Sequence, residues 1–176
     1  MKRARGDAGF SLLELLLALS LGLVLSAVAL QSLLADGQRS QRLGQQFRQR
    51  SEQRRLLALI ESDALAATGV SADPDPQASL CSLAGRDPVL QLTTAAGVIT
   101  YSRGTPPSSI WRGRVVMRCG PAYGLDGRLS AGAAQNRVVL DQLPQDEAHG
   151  FSARHEPVLG AVSVGLMGQE LLLEVP

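Results

Sequence analysis

The stretch Phe10-Ser11-Leu12-Leu13-Glu14-Leu15-Leu16-Leu17-Ala18-Leu19-Ser20-Leu21-Gly22-Leu23-Val24-Leu25-Ser26-Ala27-Val28-Ala29-Leu30 holds one charge, Glu14, in 21 residues. As a helix it would extend about 31 Å, the thickness of a bilayer's hydrocarbon core, so it reads as a membrane segment. Lys2, Arg3 and Arg5 precede it. Cations favour the cytoplasmic flank of such a segment, which places the amino terminus in the cytoplasm and the chain beyond Leu30 across the membrane. Glu14 is the anomaly. A carboxylate within a membrane helix costs on the order of 3 kcal/mol at the centre, so one found there calls for a partner.

A basic start, an apolar run and Ala27-Val28-Ala29 together also fit a secretory signal. Ordinary signal cleavage would leave a mature chain beginning near Leu30, a released periplasmic binding protein. Against this, the core of a plain signal has no use for Glu14. The order Gly9-Phe10-Ser11-Leu12-Leu13-Glu14-Leu15, after a short basic leader and before an unbroken apolar run, resembles the type III signal of type IV prepilins and type II secretion pseudopilins. The resemblance implies a prepilin peptidase/methyltransferase that cuts between Gly9 and Phe10 and N-methylates Phe10. It further implies assembly with other major and minor pilins, from the inner membrane, into a pilus or pseudopilus. On that reading Glu14 neutralises the terminal amine of a neighbouring subunit, since each buried charge offsets the cost of the other. The alternative is self-pairing, because Glu14 lies one turn from Phe10 near the positive end of the helix dipole.

No proline occurs from Phe10 to Asp73, and Leu43, Phe47, Leu57, Ile60, Ala64 and Ala67 recur at helical steps around a polar interval. The pattern predicts a helix from Phe10 to about Thr68, roughly 88 Å long. Gly22, Gly37 and Gly44 would weaken it by about 1 kcal/mol each relative to Ala. Gly69 is the predicted stop, and Asp73-Pro74-Asp75-Pro76 a linker. Four segments follow: a cytoplasmic leader at 1–9, a transmembrane half-helix at 10–30, an extracytoplasmic amphipathic half at 31–69 and a β-rich globular domain at 70–176.

Beyond the linker the period becomes alternating. Strands are predicted at 89–93 and 98–101, joined through Ala95-Ala96-Gly97, and at 115–117, 138–140, 161–164 and 171–175, with loops at 104–107 and 120–127. The expected fold is α+β, an antiparallel sheet packed on the distal half of the long helix. Val98 to Tyr101, a Gly/Pro loop and Trp111-Arg112 resemble the sheet region of J-type minor pseudopilins and W-type minor pilins, as does Leu59-Ile60 followed by Asp63. That implies a minor subunit priming assembly near the tip.

Cys81 and Cys119 are the only cysteines. An even count in an exported domain favours a disulfide, contributing roughly 4 kcal/mol on the chain-entropy model, over two buried thiols. Their spacing offers no close ligand pair for a metal.

The rest of the 176 residues bounds the function. With 45% hydrophobic and 19% charged residues the chain can bury a core. Aromatic residues are 3%, too few for base-stacking platforms. The net charge of +1 hides an uneven distribution, because Arg39, Arg42, Arg48, Arg50, Arg54 and Arg55 cluster before residue 56 and acids outnumber arginines after it. Nucleic acid is a possible but unsupported partner for Arg48 to Arg55, which read more simply as a solvated helix face. His149 and His155, Asp146-Glu147 with Glu156, and Asp126-Gly127 form no ligand or acid–base spacing, and Asp126-Gly127 reads as a turn. No phosphate loop, HExxH or GxSxG is present. The sequence describes a non-enzyme without cofactor or metal.

Overall fold

The computed structural model describes residues 11–145 and 150–174. Gly9 and Phe10 lie outside the described residues, as do Asp146, Glu147 and His149. The chain divides into two compact units, Met1–Gln49 and Arg50–Pro176. Helix α1, Leu12–Leu65, runs through 54 residues. Leucine, alanine, glutamine and arginine dominate it, side chains that lose little freedom in a helix. Its start is capped by Ser11, whose Oγ accepts the Glu14 N–H at 3.3 Å, with Glu14 at the third helical position as in a capping box.

The helix ends earlier than the sequence pattern predicts. The Ala66 N–H closes a tighter last turn on the Asp63 carbonyl at 3.2 Å, and the chain passes directly into β1, Ala67–Ser71. Gly69, expected as a helix stop, is a strand residue. β1 pairs antiparallel with β2, Asp87–Thr94, and the Thr68 hydroxyl donates to the Thr93 carbonyl at 3.2 Å. Cross-strand bonds to β2 take over where the helical bonds end.

Strands β2 Asp87–Thr94, β3 Gly97–Gly104, β4 Arg114–Gly120 and β5 Gln135–Leu143 complete a five-stranded antiparallel sheet in sequential order. A second antiparallel sheet holds β6 Phe151–Glu156, β7 Ala161–Leu166 and β8 Gln169–Glu174. The fold is therefore α+β with two sheets where one was expected. Within the second unit, Leu56 and Ile60 of α1 share one apolar core with Leu90, Leu92, Ile99 and Val116 of the large sheet and Phe151, Val164 and Leu166 of the small one.

The buried face of the helix is Gln53, Leu56, Ile60 and Asp63, spaced three, four and three. Leu56 is 1% exposed, whereas Leu57 is half-buried and Phe47, expected on the apolar face, is 67% exposed. The true stripe is thus rotated from the expected one and includes a carboxylate. After β1, a 3-10 turn at Pro76–Ala78 leads to Cys81, which is disulfide-bonded to Cys119 on β4 with 5.9 Å between Cα atoms. Gly120 follows, and a Cβ there would lie 2.9 Å from Ile99 Cγ1, so the close approach of β3 and β4 leaves no room for a side chain.

Truncating a filled core site costs about 2–5 kcal/mol, while an exposed side chain contributes little. Ile60→Ala should therefore lower stability by that amount in denaturant unfolding, and Phe47→Ala should leave the transition within about 0.5 kcal/mol. Equal losses would contradict the helix face assigned here.

Candidate functional site

Two carboxylates on α1 stand out, and their surroundings differ completely. Glu14 opens the segment Leu12–Ser32, 21 residues of mean hydropathy 2.4, which is long and apolar enough to cross a membrane. Its leucines and valines are exposed throughout. Ser20 and Ser32 turn their hydroxyls back on the Leu17 and Val28 carbonyls at 2.9 and 3.0 Å, so neither presents an unsatisfied donor to an apolar medium. The Glu14 carboxylate meets no cation among the described residues; its backbone N–H is engaged by Ser11.

Asp63 is the opposite case. It is 0% exposed and ringed by donors from three separate segments. Arg118 of β4 holds it with a two-pronged bond, Nε to Oδ2 at 2.6 Å and Nη2 to Oδ1 at 2.8 Å. Tyr101 of β3 donates its hydroxyl to Oδ2, and Tyr123 of the following loop donates to Oδ1 at 2.8 Å. The remaining groups are also placed: Arg118 Nη1 donates to the Pro121 carbonyl at 2.9 Å, and its guanidinium lies 5.7 Å from the Tyr123 ring centre. Ser62, the neighbour of Asp63 on the helix, shares a 3.1 Å hydrogen bond with the Tyr123 hydroxyl.

The electrostatics follow from this geometry. Burial raises the Tyr101 phenol well above its ordinary 10.0, and the adjacent Asp63 charge and hydrogen bond raise it further. Tyr123 rises for the same leading reason, burial, aided by Asp63. For Arg118 burial works against the cation, but the hydrogen bonds and charge of Asp63 outweigh it and hold the guanidinium above its ordinary range. Protonated phenols and a fixed guanidinium cannot exchange protons near neutral pH, so the cluster is a clamp and not an acid–base pair.

The other sequence candidates stay apart. Arg48, Arg50, Arg54 and Arg55 are exposed, and His155 is exposed on β6. The Asp126 carboxylate accepts the Arg128 N–H at 3.2 Å, a local turn as expected. Among the described residues no three histidines, cysteines or acids are grouped to hold a metal. In the sequence Asp63 and Tyr101 stand out only through the resemblance to J- and W-type subunits, and Arg118 and Tyr123 carry no role there. The available signal was the acid at the three-residue step after Ile60 on an apolar face, together with an arginine inside Val115-Val116-Met117-Arg118-Cys119.

Comparison with known families matches residues 4–30 to the prokaryotic N-terminal methylation motif. No curated protein and no solved structure gave a match. The motif covers the apolar start of α1, where Leu12–Ser32 is long and apolar enough to cross a membrane, and it supports a type IV prepilin-like amino terminus. Prepilin motifs imply processing by prepilin peptidase and assembly with other pilins.

Tyr101 and Tyr123 are the only two tyrosines, so phenolate absorbance reads this cluster alone. Their folded-state pKa values lie above the unfolded value of about 10, so their contribution is complete below pH 10 and is lost as pH rises through the folded values. Alkaline titration should show phenolate appearing only as the protein unfolds above pH 10. In Asp63→Asn, which strands Arg118 and costs about 3–5 kcal/mol, unfolding and phenolate should both appear at lower pH. Two tyrosines titrating normally in the folded protein would exclude the clamp.

Proposed function

We propose that this chain is a minor pilin or pseudopilin, a structural subunit without a catalytic role. The observation that carries the reading is the methylation motif at residues 4–30 lying on an apolar helix with Glu14 in its first turn. On this proposal residues 1–9 are a cytoplasmic leader, residues 10–30 span the inner membrane, and the rest is extracytoplasmic, with residues 31–69 as stem and 70–176 as the β-rich part. Prepilin peptidase cuts between Gly9 and Phe10 and methylates the new amine. That amine stays cationic within an apolar setting, and Glu14 of an adjoining subunit offsets its cost.

A helix that buries no residue of Leu12–Ser32 within its own chain has that surface free for lipid or for neighbouring helices. The rank of minor subunit rests on the likeness of residues 98–112 to J- and W-type subunits. The presence of Glu14 lets the chain dock on a neighbour already in the membrane, at or just below the tip.

One experiment addresses the reading: the full chain is produced with prepilin peptidase and partner pilins, and membranes and sheared filaments are analysed by mass spectrometry. Mature protein beginning at N-methylated Phe10 is expected, present in filaments far below the shaft subunit. Glu14→Ala should be cleaved normally yet be lost from filaments by about tenfold or more, the effect of one unpaired buried charge. A mature terminus near Leu30 would make the chain a released periplasmic protein instead; normal incorporation of Glu14→Ala would remove the role given to that carboxylate.

A further inference from the structure

Beside the Asp63 clamp lies a hollow of about 440 Å³ between α1 and β5, the edge strand of the large sheet. The strand register builds it. Arg118 turns toward α1 to reach Asp63, and Arg137 is its direct partner across β4 and β5, so Arg137 stands on the same face. Gln135 and Val139, two residues to either side of Arg137, share that face. With Leu59 of the helix and Tyr123 they line the hollow. Leu59, Tyr123, Gln135 and Val139 are half-buried, and Arg137 is exposed.

Both arginines have donors to spare. A guanidinium carries five N–H donors. Arg118, 8% exposed, commits its Nε and Nη2 to Asp63 and its Nη1 to the Pro121 carbonyl, which leaves two of the five without a partner among the described residues. The side chain of Arg137 makes no hydrogen bond or ion pair among the described residues. Asp141, the next acid on that face of β5, lies outside the hollow and is not joined to Arg137. Like charges directly opposite on neighbouring strands repel, and Asp63 answers only one of the two cations. Two guanidiniums against one carboxylate leave the hollow one positive charge.

We infer that the hollow binds a small organic monocarboxylate. Directly opposed strand residues have Cα atoms about 5 Å apart, so two long arginine side chains can reach the same carboxylate. Its planar pair of oxygens accepts from Arg137 and from the unused donors of Arg118, a geometry that guanidinium forks match, and the Gln135 amide supplies a further donor. The apolar part of the ligand rests on Leu59 and Val139. A single negative charge balances the site. A phosphate group, with close to two charges at neutral pH, would exceed it and would leave the apolar wall uncovered. The volume is within the range that holds a small ligand. All of these residues belong to Arg50–Pro176, so the site is independent of how the amino terminus is processed.

The test uses the full-length chain in lipid nanodiscs, with para-fluorobenzoate as the probe, followed by fluorine NMR against empty nanodiscs. The uncharged near-isostere para-fluorobenzamide is its control. Saturable binding of the benzoate is expected, with the benzamide weaker by about tenfold or more, the effect of losing a charge-assisted contact. Arg137→Gln, which alters an exposed side chain, should weaken the benzoate by a similar factor, and Gln135→Leu, which keeps the cation, by a smaller one. Arg154→Gln, an exposed arginine on β6, should change nothing. Inorganic phosphate at the concentration of the probe should not displace it. Absence of saturable binding, equal binding of the benzamide, no loss in Arg137→Gln, an equal loss in Arg154→Gln, or displacement by phosphate overturns the proposal.

Discussion

The second compact unit depends on one constraint: Asp63 is fully buried and must keep its donors. Burying an unpaired carboxylate costs several kcal/mol, and here the cost is offset by Arg118, Tyr101 and Tyr123 together. Leu56 and Ile60 would tolerate a small slide or roll of the helix, because apolar contact has no direction. Asp63 would not. A turn of the helix by one residue would carry its two oxygens away from donors held on β3, β4 and the loop after β4, leaving charges unsatisfied on both sides. The clamp thus fixes both the rotation and the height of the Arg50–Leu65 end of α1 over the large sheet.

The surroundings of Arg118 reinforce that setting. Cys119 carries the disulfide to Cys81, Gly120 permits the tight approach to Ile99, and Pro121 supplies the carbonyl that orients the guanidinium. Four consecutive residues thereby tie the segment after β1, strand β3 and the helix to one place on β4. A well-packed apolar replacement of the ion pair would match it in stability, since buried pairs gain little over hydrophobic groups of similar volume. What the pair adds is a single allowed register.

The long apolar segment was legible because length and hydropathy alone mark it, and Glu14 was legible as the exception within it. The strands with β-branched alternation, such as Val98-Ile99-Thr100-Tyr101, were legible for similar reasons. β1 and β6 were not: Ala67-Thr68-Gly69-Val70-Ser71 looks like a helix end, and Phe151-Ser152-Ala153-Arg154-His155-Glu156 is too polar to announce its buried face. The helix stripe was displaced because the polar interval from Arg48 to Arg55 breaks the count, and one residue of error is a rotation of about 100°. The clamp itself was illegible. Its donors come from 38, 55 and 60 residues away, and no local pattern carries separations of that size.

Glu14 and Asp63 together state the logic of the chain. Both are carboxylates on a helix where their neighbours are apolar, and both need a cation or several donors. Asp63 finds them within its own fold and so specifies a stable unit. Glu14 finds only the capping contact of its backbone with Ser11 among the described residues. A side chain whose cost is met inside the fold stabilises a monomer, whereas one whose cost is left open favours whatever encounter supplies the missing charge. On the proposed reading that charge is the methylated amine of Phe10. In the same chain it lies only four residues before Glu14 in sequence, on the far side of the Ser11 cap, next to a helix end already polarised by free N–H groups. An amine from a neighbouring subunit is not bound by that geometry and can approach the carboxylate directly. The open carboxylate therefore provides a reason for the chain to assemble that the closed one cannot.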